Sequence, residues 1–348
     1  MSWIGHVDLD AFFARCEELR DPELEEKPVV VCVYTRGGSS GAVSTCDYMA
    51  RELGISSAMP LQEAKARASQ ETVFLPVDHE YYRDISDRVL SVLRNRSPEV
   101  QEYSIDEAFF RIEKEPVVTA KKIKSDIEAL GLSSSIGIGP NRFVAKMASE
   151  EDKPDGLTKV EPGDVEDFLA DKPVGDIHGV GDKTEQKLLE LGIETVREIG
   201  KANSALLVDE VGKNRAESLK AKARGEGSHD LREDGRKQVS RIVTMEHDSS
   251  DFGYVSSELS RACHELVQRL ERKDLAFTRI GIIAIDTGMQ EYTRSRSVKT
   301  SRPGPRLFSE AEHLLDELMA REEPVLRRVG VRVSGLVDTD RQTALSSF

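Results

Sequence analysis

The chain has few cysteines and no pattern that would put them to use. Four occur in 348 residues (Cys16, Cys32, Cys46 and Cys263), and none forms a CxxC pair. That argues against a disulfide framework or a cysteine-held structural zinc and points to a reducing, cytoplasmic setting. No apolar run approaches eighteen residues, so no transmembrane helix is expected. The first residues lack a basic stretch followed by an apolar one, so no secretory leader is expected. Positive charge is also short. The net charge is −14, the opposite of what a phosphate-binding surface asks for. Any nucleic-acid contact must then be local. This acidity, with Arg outnumbering Lys, fits a protein kept soluble in a high-salt cytoplasm.

A hydrophobic content of 38% is enough for globular packing, and the length implies more than one core. The most informative stretch is Gly5-His6-Val7-Asp8-Leu9-Asp10-Ala11-Phe12-Phe13. It reads as a strand that ends with Asp8 and Asp10 on one face, because residues i and i+2 point together. A second acidic cluster follows in Tyr103-Ser104-Ile105-Asp106-Glu107-Ala108-Phe109-Phe110. Two apolar strands with acids near their ends suggest one site where carboxylates converge on hard cations such as Mg²⁺. Adjacent Asp106 and Glu107 can both serve only near a turn, where the alternation of a strand breaks.

Leaving residues 20–75 aside, residues 1–160 read as strand, helix, strand, strand, helix, strand, the ferredoxin-like pattern. Residues 20–75 form a small α/β insertion. Its Gly37-Gly38-Ser39-Ser40-Gly41 loop lacks the GxxxxGK[ST] spacing of a phosphate-binding loop. Residues 165–230 look all-helical, residues 231–239 read as a polar linker, and residues 240–337 form a second α+β unit. Thr45, Tyr48 and Arg51, spaced i, i+3, i+6, are expected along one side of a helix.

With those residues in place, the chain resembles the Y-family, translesion DNA polymerases of the archaeal DinB-like branch. The resemblance rests on Val7 to Phe13, Ser44-Thr45-Cys46-Asp47-Tyr48-Met49-Ala50-Arg51, Tyr103 to Ala108, and Lys153-Pro154-Asp155-Gly156. It implies an α+β multidomain, right-hand polymerase: a palm at 1–19 and 76–164, fingers at 20–75, a helix-hairpin-helix thumb at 165–230, a linker at 231–239, a little finger at 240–337 and a tail at 338–348. It also implies low-fidelity, template-directed synthesis across lesions, with primer-template DNA and dNTPs as partners and a monomeric, cytoplasmic enzyme.

The resemblance further implies roles. Asp8, Asp106, Glu107 and the Leu9 carbonyl match metal ligands for two Mg²⁺. Phe13 matches an aromatic steric gate against the ribose 2′-hydroxyl, beside Phe12. Thr45, Tyr48, Arg51 and Lys153 suit a triphosphate. Ala11 stands where relatives carry a Tyr, so a phosphate contact from that position is absent. Asp10 is left out of the ligand set as a support of the strand end, and Lys146 is a candidate helper.

Gly179, Gly181 and Lys183 in His178-Gly179-Val180-Gly181-Asp182-Lys183 resemble a hairpin whose backbone approaches DNA phosphates. The same pattern is also an ordinary glycine helix cap. Residues 292–309 are the longest acid-free basic stretch. Arg294 and Arg296, with Arg327, Arg328 and Arg332, are the candidate phosphate track. Gln342, Leu345 and Phe348 resemble a peptide that docks on a sliding clamp of the PCNA type. Two rivals remain: another two-metal enzyme such as a nuclease or nucleotide cyclase, and a non-catalytic DNA- or clamp-binding scaffold.

Overall fold

The structure is a computed structural model that describes residues 2–34, 41–231 and 237–338. The chain divides into two compact units, one of Met1–Val33 with Ala42–Glu233 and one built on Asp234–Phe348.

The first unit opens with β1 (Trp3–Leu9) and α1 (Phe12–Arg20). Next come β2 (Val29–Tyr34), β3 (Gly41–Cys46), α2 (Tyr48–Glu52), α3 (Leu61–Arg67) and β4 (Val73–Pro76). The chain returns through α4 (His79–Arg96), β5 (Val100–Glu102), β6 (Glu107–Ile112), α5 (Pro116–Glu128), β7 (Ser134–Gly139), α6 (Arg142–Ser149) and β8 (Leu157–Lys159). The main sheet has the order β5-β6-β1-β7-β8. Strand β1 lies at its centre, antiparallel to β6 and β7. This is the ferredoxin-like arrangement that the sequence pattern anticipates, extended by β8, a parallel edge strand that the pattern misses. Strands β3-β2-β4 form a separate small sheet.

Burial explains why β1 sits centrally. Val7 and Leu9 point into a core that also holds Tyr82, Leu93, Phe110, Ile123 and Ile136. His6 and Asp8 alternate to the opposite face, toward α6. Gly137 lets α6 come down onto β7. A Cβ there would lie 2.0 Å from the Ala145 carbonyl oxygen and 2.2 Å from the Ser149 amide. The absence of a side chain at Gly137 therefore sets how closely α6 rests on the sheet.

The unit continues with α7 (Val165–Ala170), α8 (Asp182–Glu190), α9 (Val196–Lys201), α10 (Ser204–Val211) and α11 (Lys213–Ala223). Leu169, Leu188, Ile199, Leu207 and Leu219 are buried in their common core.

The second unit holds β9 (Gln238–Ser249), α12 (Phe252–Glu271), β10 (Leu275–Asp286), β11 (Glu291–Ser301), α13 (Pro305–Glu322), β12 (Leu326–Ser334) and β13 (Val337–Asp338). Its sheet order is β11-β10-β12-β9, with β13 paired to β10. Val329, Val331 and Val333 share a core with α12 and α13, so the helices cover one face of this sheet. Among the described residues, no helix is long and apolar enough to cross a membrane.

Candidate active site

The end of β1, the start of β6 and the far end of α6 meet at one place. Carboxylate oxygens of Asp8, Glu107 and Glu150 all lie within 4.8 Å of one another. Hard oxygen donors grouped this closely fit a divalent cation of the Mg²⁺ kind. Two lysines neutralise them. Lys153 Nζ is 2.8 Å from Asp8 Oδ2 and 2.9 Å from Glu150 Oε2. Lys146 Nζ donates to Glu107 Oε1. Burial pushes the Asp8 carboxyl up to about 8 against the pull of Lys153. Burial also acts on Glu107 and is the largest single influence, but Lys146 together with Asp8 and Lys153 holds that group below its ordinary value.

Glu150 is a member of this cluster that sequence reasoning missed. It is one of three consecutive acids after α6, and nothing in the pattern separates it from Glu151 and Asp152. Asp106 lies just before β6, in a turn, where the strand alternation breaks as expected. Its Oδ1 accepts from Ser104 Oγ at 2.5 Å, and it is not within the group of three. Leu9 donates its amide to the Asp106 carbonyl at 2.9 Å, which ties the two acidic segments together.

A cavity of about 370 Å³ opens beside the acids, lined by Asp8, Leu9, Asp106, Phe12, Phe13, Thr45, Tyr48, Arg51 and Lys153. Thr45, Tyr48 and Arg51 do converge, but not as one helical stripe. Thr45 belongs to strand β3, and only Tyr48 and Arg51 lie on α2. Asp47 accounts for the break, since its side chain caps α2 by accepting from the Ala50 amide. The Arg51 guanidinium lies 4.7 Å from the centre of the Tyr48 ring. Ser44, from the same motif as Thr45, also lines the cavity, as does Ser57, which carries no sequence signal. Ala11, with φ 45° and ψ 39°, turns the chain sharply from β1 into α1. Phe12 goes into the core, 2% exposed. Phe13 stacks on Tyr82 at 4.4 Å between ring centres while still lining the cavity.

Asp10 lines the same cavity but is engaged elsewhere. Its Oδ1 accepts from Ser135 Oγ at 2.8 Å, and its Oδ2 accepts from Ser133 Oγ at 2.7 Å and from the Asp155 amide at 2.9 Å. Asp8 and Asp10 are therefore engaged differently, Asp8 in the carboxylate group and Asp10 on the turn that carries Lys153.

Comparison with known proteins agrees with this geometry. Residues 7–150 match the model of the impB/mucB/samB family, and residues 236–345 match that of its C-terminal domain. Residues 162–193 match the HHH motif of the IMS family. DNA polymerase IV 1 of Methanosarcina mazei is 38% identical over 99% of this chain and 98% of its own length. DNA polymerase IV of Halobacterium salinarum is 35% identical, over 98% and 86% respectively. Among solved structures, a Y-family DNA polymerase chimera of Dbh and Dpo4 aligns with a TM-score of 0.88 at 30% identity, covering 96% of this chain and 99% of that one. An insertion ternary complex of Dbh DNA polymerase aligns with a TM-score of 0.70 at 29% identity, covering 96% and 99%. The chain belongs to the DinB-like Y-family DNA polymerases. Its fold is accordingly a palm carrying the acids, small fingers, a helical thumb and a little finger.

In this polymerase, Gly179 has φ 90°, a conformation that favours glycine, and Gly181 precedes α8 as its N-cap. Lys183 lies in the first turn of α8. The thumb hairpin also touches the palm, where Tyr103 Oη and His178 Nε2 are 2.6 Å apart.

The five little-finger arginines do not form one track. Arg294 and Arg296 share a strand face, but it is the face covered by α13. Arg294 pairs with Glu322 at 2.6 Å, and Arg296 pairs with Glu317 at 2.7 Å. Arg327 pairs with Asp248 of β9 at 3.0 Å. Arg328 and Arg332 alternate with the core valines of β12, so they point to the opposite face. Cross-strand register puts Arg332 beside Gly281, and Arg279 beside Ser297 and Ser334. The open face thus carries Arg279, Lys299, Arg328 and Arg332 among serines, glycines and the isoleucines Ile283 and Ile285, with Glu291 in the cross-strand row of Arg328. None of these four forms an ion pair among the described residues. Gln342, Leu345 and Phe348 lie outside the described residues.

Proposed function

We propose that this polymerase extends a primer at Asp8, Asp106 and Glu107, with attack of the 3′-hydroxyl on the dNTP α-phosphate and release of pyrophosphate. The observation that carries this reading is the shared site: Asp8, one of three carboxylates grouped within 4.8 Å, and Asp106 both line the cavity that also holds Phe13, Thr45, Tyr48, Arg51 and Lys153. Two Mg²⁺ ions held by these acids and the Leu9 carbonyl would supply Lewis acidity to the primer hydroxyl and neutralise the leaving pyrophosphate.

The chain's own groups do the positioning. Arg51, braced on Tyr48, and Lys153 present cations to the β,γ-phosphates, and the Thr45 hydroxyl donates a hydrogen bond to them. The Phe13 ring lies under the sugar, where a 2′-hydroxyl collides with it. The Gly179–Gly181 hairpin and Lys183 grip duplex phosphates without reading sequence. The open little-finger face with Arg279, Lys299, Arg328 and Arg332 forms the second phosphate contact, and four cations without an ion-pair partner among the described residues support that role. The tail at Gln342, Leu345 and Phe348 is the proposed anchor on a sliding clamp. Four free, buried cysteines support a reducing, cytoplasmic setting.

Primer extension with Mg²⁺ on undamaged and abasic templates, with dNTPs and rNTPs in parallel, tests the reading. Extension past the abasic site with dNTPs alone is the expected result. Degradation of the primer, or DNA binding without extension, would reject it.

A further inference from the structure

Lys124, on α5 at the back of the palm, matches none of the motifs that brought the acids to light. Its side chain is 17% exposed, and its ammonium group ties one turn to the start of β7. Lys124 Nζ donates to the carbonyl oxygens of Ser134 at 2.6 Å, Asp155 at 2.6 Å and Gly156 at 3.2 Å. It also lies 2.8 Å from Asp155 Oδ1. That turn is Lys153-Pro154-Asp155-Gly156.

The opposite side of the turn is held by Asp10, which accepts from the Asp155 amide at 2.9 Å. The Gly156 amide donates to Ser135 Oγ at 3.2 Å, and that hydroxyl in turn donates to Asp10 Oδ1 at 2.8 Å. Asp155 is therefore gripped at both its amide and its carbonyl. Its φ of 59° is a conformation that a non-glycine residue keeps only when its surroundings hold it. A fixed turn leaves Lys153 with only side-chain freedom. Its ammonium group can then move between Asp8 and the cavity without the backbone following.

We propose that Lys124 and Asp10 form a two-sided clamp on this turn, and that Lys124 is a positioning residue for nucleotide binding, acting through Lys153. The inference rests on the triphosphate role given to Lys153 above. It also explains why a lysine on a distant helix is held by three main-chain carbonyls rather than left at the surface. A flexible lysine on a loose turn would sample many positions, and each phosphate contact would have to order it first.

The test is a double-variant cycle on the full chain with Mg²⁺ and primer-template DNA. Single-nucleotide insertion gives kcat and KM for dNTP in wild type, Lys124→Met, Lys153→Ala and the double variant, with DNA Kd and Tm measured alongside. Lys124→Met is expected to raise the dNTP KM about tenfold, the low end for a charged hydrogen bond, with kcat and DNA Kd little changed. The double variant is expected to be no worse than Lys153→Ala alone, within about twofold.

Multiplied losses in the double variant, or an unchanged KM in Lys124→Met, would overturn the clamp while Lys153→Ala stays impaired. A silent Lys153→Ala would instead overturn the triphosphate role, and the clamp with it. Should Lys124→Met fail to fold, Lys124→Gln retains one amide donor for the carbonyls and is read in the same cycle.

Discussion

Lys153 Nζ bridges Asp8 Oδ2 at 2.8 Å and Glu150 Oε2 at 2.9 Å. One lysine is thus shared between a carboxylate of the expected ligand set and one outside it. Removing the Glu150 charge leaves Lys153 wholly on Asp8, so a metal ion must displace a tighter partner. Glu150→Gln is expected to raise the Mg²⁺ concentration that half-saturates extension by about fivefold, equivalent to ~1 kcal/mol for a part-exposed pair. A Mg²⁺ titration of the extension rate checks this. An unchanged midpoint would make Glu150 a bystander.

Phe13 packs on Tyr82 and faces the cavity, so truncation acts on both. Phe13→Ala should lower Tm, because a partly buried ring is lost from the core. It should also reduce discrimination against rNTPs by at least about tenfold, ~1.4 kcal/mol. The ratio of kcat/KM for dNTP and rNTP separates the two effects, since a general loss of stability acts on both substrates alike. An unaltered ratio removes Phe13 from the sugar filter.

The two faces of the little-finger sheet should answer differently to mutation. Replacing Arg279, Arg328 and Arg332 with Ala should flatten the slope of log Kd against log salt by roughly 2 to 3, at about 0.9 per lost phosphate contact. Replacing Arg294 and Arg296 should leave that slope nearly unchanged and lower Tm instead, because their partners are carboxylates of α13. Binding isotherms at several salt concentrations decide between them, and a reversed pattern would restore the original track.

His6 is fully buried beneath the acids, with its Nδ1 2.8 Å from Ser149 Oγ. Burial, with Lys146 and Lys153 nearby, holds its pKa well below 6.5. The unfolded chain therefore takes up a proton below that value while the folded chain does not. Stability is fully present above about pH 6.5 and is lost as pH falls, with a slope approaching ~1.4 kcal/mol per unit for this one group. Burial gives His178 a shift of the same sign. Denaturant unfolding between pH 5 and 7 should show the slope, and His6→Asn should reduce it. A slope that persists undiminished in the variant assigns the proton elsewhere.

Much of the palm was legible in the sequence because its signals are local. The alternation in Ile4 to Leu9 marks a buried strand, and the acids at its end mark the site. What was not legible depends on contacts far apart in the chain. The Asp10 carboxylate meets the Asp155 amide across 145 positions, and no spacing rule announces that. Thr45 was expected on a helix because i, i+3, i+6 fits one, yet the Asp47 cap ends the strand first. Alternation correctly put Arg294 and Arg296 together, but the period of a strand does not say which face a later helix will cover. Glu150 was hidden for a different reason, as one acid among three on an acidic surface.

The central claim is that Asp8 and Glu107 are groups of catalysis rather than of DNA binding. The most direct measurement is single-turnover insertion of one dNTP with Mg²⁺ by Asp8→Asn and Glu107→Gln, with DNA Kd read in the same samples. The expected result is a loss of insertion of at least about a thousandfold, ~4 kcal/mol, with DNA affinity within a few-fold of wild type. Insertion at near wild-type rate in either variant would contradict the account.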